Sequence, residues 1–371
     1  MYNQKGFSIL ELMIGLLISL ILVILVATIT TSIINQAKIQ IDHTKVQKDS
    51  KFSSIALSKE IIDAGNGLFL ENKFICPYGL LANTPSGSTL LNIYPIYFSQ
   101  DTSTSSAGIT SDKVQITSFY TNNIAAPYRM MNSISNLNQD IELNKVDFLS
   151  VGDKLLIGNS NQKIPCMLIT ITQIDSASNK ISFSSPSTTG QPFTFNYKED
   201  SFIYLVADSN KDYLQSWVYF LDINNHKLKY YNQLKTTSSS AHTLIDNVYL
   251  LSAFYNYDIS YHTYNSAESV WYKKENGPKL LDNIPYNTAV ASLTNYDRRK
   301  IKGFKFFILK KGDKKNTDCN LMNKDIPLLK TSDIASSITT IDVSQLVSDW
   351  KCWNFSLLQG ENVLMNGVMN E

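Results

Sequence analysis

Hydrophobic and polar positions along this chain follow two different periods, and the change falls near Gly67. From Phe7 to Val26 the residues are almost all apolar, close to the roughly 20 that a bilayer-spanning helix needs. Glu11 is the one charge in that stretch. From Ile33 the pattern stays helical but becomes amphipathic. Apolar residues stand at Ile34, Ala37, Ile41, Phe52, Ile55, Leu57 and Ile62, mostly separated by Lys38, Asp42, Lys45, Lys48, Asp49, Lys51 and Lys59. Their spacing describes one helical face, expected to dock on a folded domain with Phe52 buried. Neither Pro nor Gly interrupts this half before Gly65-Asn66-Gly67, which supplies a helix end. The prediction is one continuous helix from Phe7 to about Ala64, roughly 85 Å long at 1.5 Å per residue. Thr28, Thr30 and Thr31 are β-branched and mark a place where it could loosen.

After Gly67 short runs rich in β-branched and aromatic residues predict strands. They are Leu90–Phe98, Lys113–Tyr120, Lys154–Ile157, Met167–Ile174, Lys180–Phe183 and Ser201–Ala207, then Trp217–Asp222, Lys227–Tyr231, Leu250–Tyr257, Gly303–Leu309 and Ser337–Ile341. Asn224-Asn225-His226 reads as a hairpin turn. The polar tracts Ser99–Asp112 and Lys235–His242 read as loops. A long helix followed by many antiparallel strands is an α+β architecture. The divisions expected are residues 1–6, a leader; 7–30, a membrane helix; 31–66, an amphipathic helix docked on the head; and 67–371, a β-rich globular domain.

The net charge of +1 gives no global basis for nucleic-acid binding. The basic stretch Arg298–Lys315 reads as a half-buried strand ending in a charged turn, Lys310–Lys315, whose lysines protect a sheet edge. A phosphate-binding patch is the weaker reading of the same residues. His43, His226, His242 and His262 form no ligand spacing, and neither a nucleophile elbow nor a phosphate loop is present. A catalytic constellation is therefore not visible, and no cofactor or metal is expected. Asp208-Ser209-Asn210-Lys211-Asp212 has alternating oxygens but lacks the Gly and Glu of a calcium loop, so it reads as a solvated turn. Cys76, Cys166, Cys319 and Cys352 allow three disulfide pairings. Sequence order favours Cys76–Cys166 and Cys319–Cys352, with buried free thiols as the alternative. The second bond is expected to matter more, because few apolar runs surround it.

Glu11 is the chemical anomaly. A carboxylate at the centre of a bilayer costs roughly 2.5–3.5 kcal/mol, which marks it as functional. The alternative places it in the headgroup layer, since it lies only about 6 Å beyond Phe7 along the helix. The tidy cleavage point lies before the apolar run, after Gly6, so a processed chain would keep its hydrophobic helix at the new N-terminus.

Gly6-Phe7-Ser8-Ile9-Leu10-Glu11-Leu12 closely resembles the type IV prepilin signal. The resemblance implies that a prepilin peptidase cuts between Gly6 and Phe7 and methylates the Phe7 amine. It also implies that Glu11 faces the Phe7 amine of a neighbouring subunit during assembly. Unlike many major pilins, this helix has no central Pro.

Val46–Gly65 is similar to the helix of PilW-type minor pilins, with Phe52, Leu57–Ile61 and Ala64-Gly65 at matching places. Ser111–Ile116, Val151–Ile157 with Cys166 beyond, and Leu244–Val248 running into Tyr255–Asp258 resemble further segments of that family in order. The chain departs from it in placing a cysteine late, at Cys76, and in having Asn354–Gly360 where the family is arginine-rich. What the resemblance implies is a minor pilin in a tip complex that primes pilus assembly. Its partners would be other minor pilins, the major pilin, prepilin peptidase, the inner-membrane assembly platform and a tip adhesin. It would cross the inner membrane once, with its head in the periplasm, before joining the pilus. Pseudopilin J of type II secretion shares the plan and is the alternative, as is a tip module that itself binds a surface ligand or DNA.

Overall fold

The computed structural model describes residues 9–62, 64, 69–70, 73–74, 76, 78–91, 96–104, 110–119, 128–135, 139–159, 164–186, 196–208, 211–258, 263–265, 270–272, 281–285, 301–315, 319, 325–327 and 340–363. The architecture is α+β, one long helix and a large, mostly antiparallel sheet domain. The helix runs from Ile9 to Ile62, 54 residues and about 81 Å. It is unbroken through the threonines. Thr28, Thr30 and Thr31 each donate a 2.8 Å hydrogen bond to the carbonyl four residues earlier, which satisfies the hydroxyls without interrupting the ladder.

Among the described residues, three larger sheets and three two-stranded ones make up the head. A five-stranded sheet has the order His242–Asp246, Lys227–Asn232, Leu214–Asp222, Thr110–Phe119, Ile96–Thr104. A four-stranded sheet has the order Leu281–Pro285, Val248–Asp258, Ile301–Lys315, Trp353–Val363. An eight-stranded sheet uses Leu80–Thr84 and Gly87–Leu91 together with six strands lying between Tyr128 and Ala207. Its strands from Tyr128 to Ala207 form an excursion: the chain leaves the five-stranded sheet after Phe119 and returns to it at Leu214. Asn247, at φ 60°, makes the sharp step between the five- and four-stranded sheets, a left-handed conformation that Asn tolerates.

The helix shares one core with two of these sheets. Leu57 and Ala64 join Val114, Ile116, Leu221 and Ile245 of the five-stranded sheet and Val248, Leu251, Phe306 and Ile308 of the four-stranded one. The eight-stranded sheet has its own core, including Leu155, Ile157, Met167, Ile169, Ile181 and Ile203.

Four expectations are corrected. Of the predicted face Leu57 is buried, but the docked side is completed by Asp42, Val46 and Asp49, while Phe52 is 66% exposed and Ile41 64%. Leu90–Phe98 is not one strand, because Gly87–Leu91 and Ile96–Thr104 belong to different sheets. The tract Ser99–Asp112 supplies the ends of two paired strands, since its Ser and Thr residues extend the ladder from Ile96 and Val114. Lys310–Lys315 is a bulged continuation of the Ile301 strand. As far as Lys310 that strand is interior, paired on one side with Val248–Asp258 and on the other with Trp353–Val363, and beyond it the register continues on the Trp353–Val363 side. Asn354–Gly360 lies within the Trp353–Val363 strand.

Candidate functional site

The N-terminal half of the helix is built for a non-aqueous neighbour. Leu12 to Ala37 carries no charge, about 39 Å of helix against a hydrocarbon core of about 30 Å. The helix is long and apolar enough to cross a membrane, and none of its most apolar window is buried within the molecule. Leu10, Leu12, Met13, Leu16 and Leu17 are all more than half exposed. Glu11 sits in the first helical turn among them, itself exposed. Gly6 and Phe7 lie outside the described residues.

Where the helix reaches the head, the contact is polar. Asp42 is 3% exposed, and its Oδ1 accepts a 3.2 Å hydrogen bond from the Asp313 backbone N–H. The bulge between Lys311 and Lys315, which contains Gly312, makes this approach possible. A Cβ on Gly312 would lie 2.6 Å from Asp42 Oδ2, so a larger residue there would have to displace the Asp42 carboxylate. Lys45 pairs with Asp313, whose other oxygen accepts 2.7 Å from Asn247 Nδ2. The hydrogen bond from Lys45 holds the Asp313 carboxyl below the usual carboxylate range. Lys310, 2% exposed, reaches Asp49 at 2.6 Å. A buried ammonium requires such a partner. A shallow cavity of about 220 Å³ opens beside this cluster, between Lys45, Asp49 and Phe52 of the helix and Leu244, Asp246 and Lys310 of the head.

The sequence held a signal for this junction that the larger apolar residues masked. Asp42, Val46 and Asp49 recur at steps of four and three, one helical face. Lys310, Asp313 and Asn247 carried no local signal, because Lys310 and Asp313 meet helix residues 261 and 271 positions away and Asn247 meets Asp313 across 66.

Lys311 and Lys315 of the same basic run also have partners within the chain. Lys311 Nζ sits 3.5 Å from the Trp353 ring centroid and 5.4 Å from that of Tyr249. The His226 ring stacks on Tyr249 at 4.1 Å. Burial, then the Lys311 charge, holds His226 below its ordinary value. Lys315 pairs with Asp349 at 2.7 Å. Arg298, Arg299 and Lys300 lie outside the described residues. Asp208 accepts from Lys211 N–H and the Tyr213 hydroxyl, each at 2.8 Å. The structure joins Cys76 to Cys166 and Cys319 to Cys352.

Residues 1–27 match the family model of the prokaryotic N-terminal methylation motif. No curated protein matches the chain. The motif, on an exposed apolar helix, supports a membrane-anchored protein of the type IV pilin or pseudopilin type, a structural rather than an enzymatic class that assembles with other pilins.

Proposed function

We propose that this chain is a PilW-like minor pilin, a structural subunit of the tip complex that initiates a type IV pilus. The observation that carries the reading is the combination at the N-terminus: a methylation motif, a helix whose apolar surface the molecule itself leaves uncovered, and one carboxylate in its first turn. A helix with that surface is stable in lipid and equally stable against other apolar helices, so one segment serves storage in the membrane and packing in a fibre.

Prepilin peptidase cuts between Gly6 and Phe7 and methylates the Phe7 amine. The leader with Lys5 stays on the cytoplasmic side and the head faces the periplasm. During assembly Glu11 meets the Phe7 ammonium of the neighbouring subunit, and each charge offsets the other's burial cost. The large head supports a terminal position, since a bulky domain fits an end of a fibre better than the space between stacked subunits.

N-terminal sequencing of the mature chain should read from a methylated Phe7, and Gly6→Glu should leave the longer precursor in the inner membrane. A mature chain starting at Met1, or beyond Thr28, would overturn the processing. Recovery of the chain in sheared, purified pili distinguishes a pilus from a secretion pseudopilus.

A further inference from the structure

A second face of the helix, adjoining the docked one, carries its own pattern. Ile34 is 48% exposed, Ile41 64%, Phe52 66% and Ile55 69%. Ile34 and Phe52 lie about five turns apart at 3.6 residues per turn, so they stand directly above one another. Lys48 falls between Ile41 and Phe52 on the same line, with Lys38 on one border of the stripe and Lys51 on the other. Among the described residues, Lys38, Lys48 and Lys51 make no ion pair. The acidic residues between Ile33 and Leu57 are Asp42 and Asp49, and both engage the head. The stripe's own charges are therefore cationic, although at Phe52 it adjoins the head beside Asp49 and Asp246.

Two occupants fit poorly. Lys48 and Lys51 lie about 16 and 21 Å beyond Ala37 along a continuous helix, farther than the roughly 6 Å headgroup layer reaches. A second copy in two-fold packing would set lysine against lysine, which disfavours pairing. We propose that this stripe binds an amphipathic helix of a different protein, one whose apolar seam is bordered by Asp or Glu. The lysines then act as a specificity device that rejects self-association and selects an acidic partner. As the identity of an assembly partner, the inference rests on the pilin reading above.

The test uses the full chain in neutral detergent and two fluorescent synthetic helical peptides with the same Leu/Ile seam, one bordered by Glu and one by Lys. The Glu peptide should bind about tenfold more tightly, the factor that three exposed ion pairs supply, and less so at high salt. The double variant Lys48→Glu/Lys51→Glu should reverse the preference, and Phe52→Ala should weaken both peptides. Equal binding of the two peptides, or no binding, overturns the proposal. So does dimerisation of the chain in light scattering that Phe52→Ala abolishes. Binding to phosphatidylglycerol vesicles, lost in the lysine variant, without peptide preference would assign the stripe to lipid instead. Processing at Gly6 is read on the same sample: a processed chain without peptide preference sinks only the stripe, while an unprocessed chain sinks the pilin reading.

Discussion

At the scale of single residues, two side chains carry separate predictions. Glu11 lies on an exposed helical turn remote from the head core. Glu11→Ala should leave membrane insertion and head folding unchanged, because an apolar substitution favours insertion. The amount of chain recovered in purified pili should drop sharply, since the Phe7 amine of the neighbour loses its partner. Wild-type recovery would show that the pairing is dispensable. His226 differs in kind: its value is depressed in the folded chain, by burial first and then by Lys311. Between the depressed value and the ordinary one near 6.5 the unfolded chain binds more protons, so stability falls as pH drops through that window. Asp222 and Asp349, held low by Lys229 and Lys315, add losses only in the more acidic carboxylate range. His226→Asn keeps a residue that accepts φ 51°. It should flatten the change in urea midpoint between pH 7.5 and 5.5; an unchanged slope would remove His226 from the account.

At the scale of elements, the long helix separates pattern from packing. Leu57 is fully buried in the shared core, while Phe52 is two-thirds exposed. Leu57→Ala should cost about 2–5 kcal/mol in denaturant unfolding. Phe52→Ala should stay within about 0.5 kcal/mol, as exposed substitutions do. The reverse ranking would restore the docking face that the apolar spacing suggested. That spacing made the helix itself legible, because no Pro or Gly breaks it between Gly15 and Gly65. It could not say which face turns inward, since large apolar residues serve an external partner as readily as an internal core. The same limit applies to the Ile301–Lys315 strand. Its last third reads as a turn because Lys-Gly-Asp-Lys is polar. Asp49, Asp42 and Trp353 arrive from distant elements and make those residues compatible with a bulged strand.

At the scale of the whole molecule, two cross-links hold distant parts of the chain. Cys76–Cys166 closes a separation of 90 residues and Cys319–Cys352 one of 33. Loop-closure entropy assigns them about 4.6 and about 3.7 kcal/mol. Cys76 and Cys166 also sit in a buried cluster with Leu80, Leu156 and Phe202. Cys76→Ala/Cys166→Ala should therefore lower the urea midpoint of the full chain more than Cys319→Ala/Cys352→Ala, the opposite of the weighting from local apolar content. A larger loss from the second pair would mean that the C-terminal strands depend on their cross-link more than the core does.

The sequence by itself determined the membrane-length helix, its one charged residue and fewer than half of the described strands. Each of these is set by residues close together in the chain: an uninterrupted apolar run, a motif of seven residues, or a period of two. Only the tertiary structure decided which side of the helix meets the head, that Lys310 is buried, and that Gly312 lies against Asp42. These depend on pairs such as Lys310 and Asp49, 261 residues apart. The charge balance of such a contact exists only once both segments are in place, so no local pattern encodes it.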